Sequence, residues 1–401
     1  MKIAFLARSV PPVIDGVGEY TWHLARSLRA WGVEAHIFTS TDQAAAPRLE
    51  PWIHPVIPRW TGKAVTEALG SVPAFQPDWC CFQYVPQMYG HRGICWAASG
   101  VPLALRQRLK CRVATTFHEF ASAWRPNPKD AILAGVMRWQ TRRLLLGSDL
   151  AITTCSRYAD CLGPSAPRAM PVVSVPVGAN IEPVPVGPGE VEALRQQYSL
   201  DGYKVFGMFG RLSPFRNFPT AVRALELAKQ QGLNAHLLLI GCVQASNPSL
   251  FAQLQRLAQK LGVEAQMVVT GELPAEDVSA HLRLVDVFLF PQCDGVSTRN
   301  TSVMSALAHG LPIVTYAPTS GHYDGYRIPY GALVRPGDEK GFIHMAVEFL
   351  GRIDARSGGE NANAEYFEKH FSWSRIAEHY IGAFTAVGSS EYALRCGVRE
   401  S

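Results

Sequence analysis

The chain spells out one pattern twice, and that repetition limits what it can fold into. KIAFLA (2–7) is a short β-prone run ending in the turn-forming SVPPVIDGVG. Helical spacing follows: Tyr20, Leu24, Leu28 and Trp31 recur at steps of three and four, and Gly32 stops the run. EAHIFTS (34–40) reads as the next strand. Strand, loop, helix and strand in forty residues make one βαβ unit, which builds a parallel sheet. Further strands read at DWCCFQYV (78–85), RVATTFHEF (112–120), DLAITTCS (149–156) and VVSVPVG (172–178). IEPVPVGPGE (181–190), with three prolines and two glycines, is the best linker in the chain. After it the alternation restarts. Strands read at KVFGMFG (204–210), HLLLIG (236–241), QMVVTG (266–271), VDVFLFP (285–291) and LPIVTY (311–316), with helices at TAVRALELAKQ (220–230) and SLFAQLQRLAQKLG (249–262). The pattern predicts an α/β protein of two Rossmann-like, doubly wound parallel-sheet domains, with a cleft facing the carboxyl ends of both sheets.

Composition fits that reading and excludes others. A chain of 401 residues is too long for one comfortable core, and 47% hydrophobic with 18% charged content is ordinary for a protein that buries large cores. No charge block, repeat or low-complexity tract occurs. The apolar stretch Ile3–Ala7 is broken by Arg8, so it predicts neither a leader nor a membrane span. Nine cysteines, an odd number without a CxxC pair, predict free buried thiols in a reducing cytosol. The net charge of +5 is modest and predicts no nucleic-acid partner, but it is unevenly spread. Residues 1–180 hold 19 Lys and Arg against 11 Asp and Glu, a net of +8 that leaves −3 for the remainder. RQRLKCR (106–112) sets a base at every second position before a strand. It reads as a solvated basic face or as a contact for an anionic acceptor or membrane surface.

Four constellations fall at strand ends. DGVGEY (15–20) opens a helix after the first strand, with Gly16 and Gly18 allowing either a tight turn or close backbone approach to an anion. TTFHEF (115–120) ends an apolar strand on His118 and a carboxylate, suited to a polar ligand contact, to proton transfer or to a structural hydrogen bond. FGRLSPFRNF (209–218) carries Arg211 and Arg216. Planar guanidinium forks match diphosphate oxygens, and two cations stabilise a diphosphate leaving group as its charge develops. Last is DGVSTRNTSVMSALAHGLP (294–312), in which N–H groups around Thr298–Ser302 and a helix opening near Ser302 form an anion site.

In order and spacing these motifs resemble the GT-B glycosyltransferases, most closely the retaining, nucleotide-sugar-dependent family 4. The likeness runs through GVG, GRL…R, LLLIG, VVTG, VDVFLFP, SALAHGLPIVT, GALVRPGD (331–338) and FSWSRIAEHYIGAF (371–384). It implies that Gly16 and Gly18 approach the donor phosphates or acceptor, that His118 contacts the donor sugar near the reacting carbon, and that Arg211 and Arg216 clamp the diphosphate. Val269–Leu273, with Gly271, Glu272 and Leu273, would line the nucleotide-base pocket. The final helix would cross back to the first domain, giving domains at 1–182, 183–365 and 366–401.

The family pattern places two glutamates eight apart before this Gly and Pro. Counted back from Gly310 and Pro312, they fall on Ser305 and Ser297, both neutral here, while Arg299 adds a cation. The resemblance therefore implies a more anion-loving donor loop formed by Ser297, Thr298, Arg299, Asn300, Thr301, Ser302 and Ser305.

The resulting expectation is an enzyme moving a sugar from a nucleotide-diphosphate donor to an acceptor hydroxyl with retention. The alternatives are a non-catalytic GT-B binding protein and a nucleotide-sugar epimerase-like enzyme. No cofactor or metal is expected. The acceptor would be a carbohydrate, a lipid-linked molecule or a small molecule; Tyr84, Tyr89 and Trp124 either contact it or pack. The expected location is cytoplasmic, with peripheral contact at the inner membrane face through the basic first domain left open.

Overall fold

The computed structural model describes residues 1–401 apart from 46–48, 73–74, 120–127, 168–169, 188, 243–245, 320–326, 354–359 and 389–401. Trp124 and Cys396 lie outside the described residues. The chain divides into two compact units, Met1–Val177 with Trp373–Ser401, and Gly178–Ser372.

The first unit is built on seven parallel strands: β1 (Lys2–Leu6), β2 (Glu34–Ser40), β3 (Ile53–Ile57), β4 (Trp79–Tyr84), β5 (Arg112–Phe117), β6 (Leu150–Thr153) and β7 (Val172–Ser174), in the order β3-β2-β1-β4-β5-β6-β7. The second unit repeats the scheme with six: β8 (Lys204–Phe209), β9 (Ala235–Ile240), β10 (Met267–Gly271), β11 (Val287–Phe290), β12 (Ile313–Tyr316) and β13 (Gly331–Val334). Their order is β10-β9-β8-β11-β12-β13, again all parallel. Each order reverses once, between β1 and β4 and between β8 and β11. In open parallel sheets, ligands bind beyond the carboxyl ends at that reversal. Near-continuous apolar strands such as VFLF, fully buried on both faces, are what helix-covered parallel sheets require.

The alternation read from the sequence is present in both units, but two strands escaped it. β3 carries His54 and Pro55, which break an apolar run. It pairs only with β2, and proline is tolerated at such an edge. β13 is the opposite edge of the second sheet, four residues long. In the helix Gly16–Ala30, Tyr20, Leu24 and Leu28 are buried, but Trp31 is 53% exposed because it stands at the C-cap, where the backbone has left the helix.

The unit borders differ from 182/183 and 365/366. Gly178 onward belongs to the second unit because the Ile181 N–H donates to Ser305 Oγ (3.3 Å) and the Val184 N–H to Ser279 Oγ (3.1 Å). The stretch 371–384 is likewise not one helix: Glu360–Phe371 and Trp373–Gly388 meet at Ser372. Buried Asn363 ties the earlier helix to the second sheet, donating to the carbonyls of Leu311 (2.7 Å) and Tyr330 (2.8 Å). The later helix packs on Gly16–Ala30 of the first unit. There Tyr380 and Tyr20 share a hydroxyl hydrogen bond (3.0 Å), and Trp373 meets Tyr20 edge-on and stacks on His23.

Candidate active site

The second unit places two of the predicted motifs at its reversal point. The loop after β8 carries Arg211 and Arg216; the loop after β11 leads into the helix Thr301–Ala308. Arg216 is half-buried, and its guanidinium joins the two loops, donating to the Phe209 carbonyl (2.5 Å) and to Ser302 Oγ (3.0 Å). It also lies 5.9 Å from the Phe290 ring centroid. Burial lowers its pKa to about 10, and no carboxylate offsets that cost among the described ion pairs. The Cys293 N–H, donating to the Phe215 carbonyl (3.1 Å), adds a second tie between the loops.

Gly210 allows Arg216 to lie so close. At φ +113° it adopts a backbone that side chains rarely take, and a Cβ there would stand 2.3 Å from Arg216 Nη1. Arg211 is exposed, with no hydrogen bond or ion pair among the described residues. It stands at the same strand end as a second cation.

The helix Thr301–Ala308 adds to this field. Its N-cap, Asn300, makes no capping hydrogen bond; Asn300 Oδ1 instead accepts from the Ser297 N–H (2.7 Å) and Ser297 Oγ (3.0 Å). The Val303 and Met304 N–H groups donate to the Asn300 carbonyl, and among the described residues no side chain accepts from those of Thr301 and Ser302, whose partial positive charge lies at the same strand ends as Arg216. A half-buried guanidinium beside a helix N-terminus, without a carboxylate, is a site that gains from binding an anion.

The rest of the predicted donor loop sorts by burial. Ser297, Arg299 and Thr301 are partly exposed, whereas Thr298, Asn300 and Ser302 are buried. Ser305 is fully buried; its hydroxyl donates to the Thr301 carbonyl (3.0 Å) and accepts from the Ile181 N–H (3.3 Å). A ribose contact would require those bonds to break. Ser305→Ala should therefore change the donor KM by less than about threefold, as expected for loss of one neutral internal hydrogen bond. A tenfold rise in KM would return the hydroxyl to the ribose.

Arg299 does not leave the loop purely cationic, because it pairs with Asp294 at 2.9 Å. Asp294 also accepts from Gln292 Nε2 (2.7 Å), and its carbonyl accepts from Thr319. Sequence counting passed over this carboxylate because it stands three residues before Ser297. The available signal was its position between a strand end and a glycine, Gly295, at φ +78°. Of the predicted base-pocket residues, Gly271 ends β10, two strands from β8 and so roughly 9.5 Å away by strand spacing, and Glu272 and Leu273 follow it. Gly271 has φ +75° with open space at its Cβ position, and Glu272 is exposed.

The first unit carries the other two motifs. Asp15 caps the helix Gly16–Ala30, accepting from the Val17 N–H (3.4 Å), the Gly18 N–H (3.1 Å) and Ser9 Oγ (2.6 Å). The N–H groups of Val17 and Gly18 are thus already turned towards a carboxylate, which argues against an anion held on the Gly18 N–H. Gly18 answers a packing need, since a Cβ there would stand 2.7 Å from the Ser9 carbonyl oxygen.

His118 directly follows β5. Its Nε2 lies 2.8 Å from Gln83 Oε1, and its ring meets Tyr20 edge-on at 4.8 Å. Gln83 Nε2 faces Cys81 Sγ and Thr116 Oγ1, so Oε1 is the acceptor and His118 carries its proton on Nε2. Nδ1 is left as an acceptor. Burial lowers the His118 pKa to about 3, which makes it a neutral polar contact near pH 7 and a poor proton carrier. Gln83, buried mid-sheet, is the residue that sequence reading missed. Tyr84 is buried and Tyr89 half-buried with its hydroxyl on the Gln83 carbonyl (2.7 Å), so both pack.

The depressed histidines fix the sign of the acid response. His118 near 3 and His309 near 4 sit well below the ordinary value of 6.5, both through burial. Between those values and 6.5 the unfolded chain binds more protons, so their contribution is complete above 6.5 and lost as pH falls towards about 4 for His309 and about 3 for His118. The melting temperature should fall across that window, and less so in His309→Gln. An identical fall in that variant would remove His309 from the account.

Comparisons with known proteins agree with this architecture. Residues 15–178 match the family described as Glycosyl transferase 4-like domain, and residues 190–343 match Glycosyl transferases group 1. The chain belongs to the GT-B glycosyltransferases. Among curated relatives, it is 28% identical over 235 residues to the GDP-mannose-dependent alpha-(1-6)-phosphatidylinositol monomannoside mannosyltransferase of Mycolicibacterium smegmatis, covering 55% of this chain and 57% of that protein. It is 27% identical over 187 residues to the 2-deoxystreptamine glucosyltransferase of Streptomyces kanamyceticus, 46% of each chain. The match thus spans about half the length of these relatives. In fold it is similar to the sucrose-phosphate synthase of Thermosynechococcus elongatus (TM-score 0.71, 19% identity, 96% of this chain and 99% of that one). It is also similar to Anabaena Alr3699/HepE in complex with UDP and glucose (TM-score 0.69, 15% identity, 96% and 100%).

Proposed function

We propose that the protein transfers a sugar from a nucleoside-diphosphate donor to an acceptor hydroxyl, with retention of anomeric configuration. The observation that carries this reading is the Arg216 guanidinium held against Ser302 at an uncapped helix N-terminus, with Arg211 at the same strand end. Two cations and a helix dipole suit a diphosphate, and they stabilise it more as its bond to the sugar breaks and negative charge grows. The base would lie towards Gly271–Leu273. His118 Nδ1, a fixed acceptor, suits a sugar hydroxyl.

Retention is favoured because Asp294, the only carboxylate between Pro291 and Gly310, is ion-paired to Arg299 rather than poised as a base or nucleophile. In a front-face displacement the departing diphosphate takes the acceptor proton, so no protein nucleophile is needed. No metal or cofactor takes part in this proposal. The acceptor would be a carbohydrate, a lipid-linked molecule or a small molecule. The eight described cysteines are all free thiols, which supports a reducing compartment such as the cytosol. Among the described residues no helix is long and apolar enough to cross a membrane.

The test is a panel of nucleotide sugars, monitoring nucleoside diphosphate release and the melting temperature. At least one donor should be turned over and should raise the melting temperature. If no donor does either, the transferase reading fails; an altered sugar still on its nucleotide would instead favour an epimerase.

A further inference from the structure

The helix Pro128–Leu146 presents an apolar face to solvent. Ile132 is 71% exposed, Trp139 45% and Leu146 52%. They stand seven residues apart, a step that drifts only about 20° around an α-helix, so they form one line along it. Trp96, 51% exposed, comes from a neighbouring segment and sets its ring 5.0 Å from that of Trp139. The opposite side of the helix is already used: Gln140, Leu144 and Leu145 are buried, the two leucines in the core of the first sheet. The exposed line is therefore additional to the core-facing side.

The charge on the helix is mainly basic, with Asp130 in its first turn and Asp149, paired with Arg106, just beyond its end as the acids. Arg138 and Arg142 are exposed on the same helix. Arg143 lies over the Trp139 ring at 5.2 Å and donates to the Trp96 carbonyl at 3.2 Å, holding the two indoles together. No Asp or Glu occurs anywhere in residues 79–118 or 131–148.

We propose that this face docks the first unit onto an anionic lipid bilayer. Tryptophans settle at the headgroup level, aliphatic side chains of an amphipathic helix sink to the acyl boundary, and arginines meet anionic headgroups. A second copy of the chain fits less well, because a two-fold contact would set arginines against arginines. The proposal goes beyond the transfer reaction and does not depend on it.

The experiment is co-sedimentation of the full chain with phosphatidylcholine vesicles, with and without phosphatidylglycerol, together with tryptophan emission. Binding should be at least about tenfold tighter to the anionic vesicles, weaken as salt screens it, and shift the emission to the blue. A Trp96→Ala/Trp139→Ala double variant should lose at least about tenfold in binding, the expected result of removing both interfacial anchors. Should that variant fold poorly, Arg138→Glu/Arg142→Glu changes only exposed positions and should lose binding to a similar extent. Equal binding to both vesicle types, no binding, or undiminished binding in the folded variants would overturn the proposal. So would concentration-dependent self-association that the same substitutions abolish.

Discussion

Arg216→Ala should lower turnover by about 10²–10³-fold with any accepted donor, the usual effect of removing one preorganised charge from a transition state. The same change strips a donor from the Phe209 carbonyl and from Ser302 Oγ, so it should also cost about 1–3 kcal/mol of stability. Arg211 separates the two effects. It is exposed and makes no hydrogen bond or ion pair among the described residues, so Arg211→Ala should leave stability within about 0.5 kcal/mol. Its turnover should nevertheless fall by orders of magnitude, because developing diphosphate charge is felt by both cations. Arg216→Lys keeps the charge but not the fork that spans two loops, and should recover only part of the loss. Initial rates of nucleoside diphosphate release, paired with melting curves, check all three. Near-normal rates in Arg211→Ala would remove that residue from the diphosphate clamp.

The second large effect concerns the backbone under the donor loop. Gly295 sits at φ +78°, and a Cβ there would stand 2.1 Å from the Ala317 carbonyl oxygen. Gly295→Ala combines left-handed strain with a collision against backbone, which cannot swing aside as a side chain can. Together these should cost about 2–5 kcal/mol and lower the melting of the second unit by about 5–15 °C. Gly271→Ala is the internal control. Its φ of +75° is nearly the same, but nothing lies within 4 Å of the added Cβ, so only strain remains and the cost should be about 1 kcal/mol. Equal losses at the two positions would show that strain alone, and not the close approach to Ala317, governs the loop.

Several features of the site were readable before any coordinates. GRLSPFR and STRNTS each follow an apolar run and precede a helix, and a parallel sheet must place such loops at its carboxyl edge. Sequence counting could not show that Ser305 is walled in, since its partner, the Ile181 N–H, is 124 residues away. Nor could it show that Asp15 already occupies the N–H groups of Val17 and Gly18. The tautomer of His118 depends on Gln83, which reads in sequence as one more residue of an apolar strand.

The sequence by itself determined the periodic part of this protein: two rounds of strand, loop and helix, their parallel sheets, and the cationic loops at strand ends. Those follow from local spacing and from the need of buried strands to be apolar on both faces. Only the tertiary structure decided which polar groups still have bonding capacity to offer. A hydrogen bond between distant segments consumes Ser305, and Arg216 is drawn onto Ser302 with no carboxylate among the described residues to neutralise it, whereas the glycine loop is held locally by Asp15. That choice rests on long-range geometry: a buried polar atom must be satisfied by whatever the fold brings beside it.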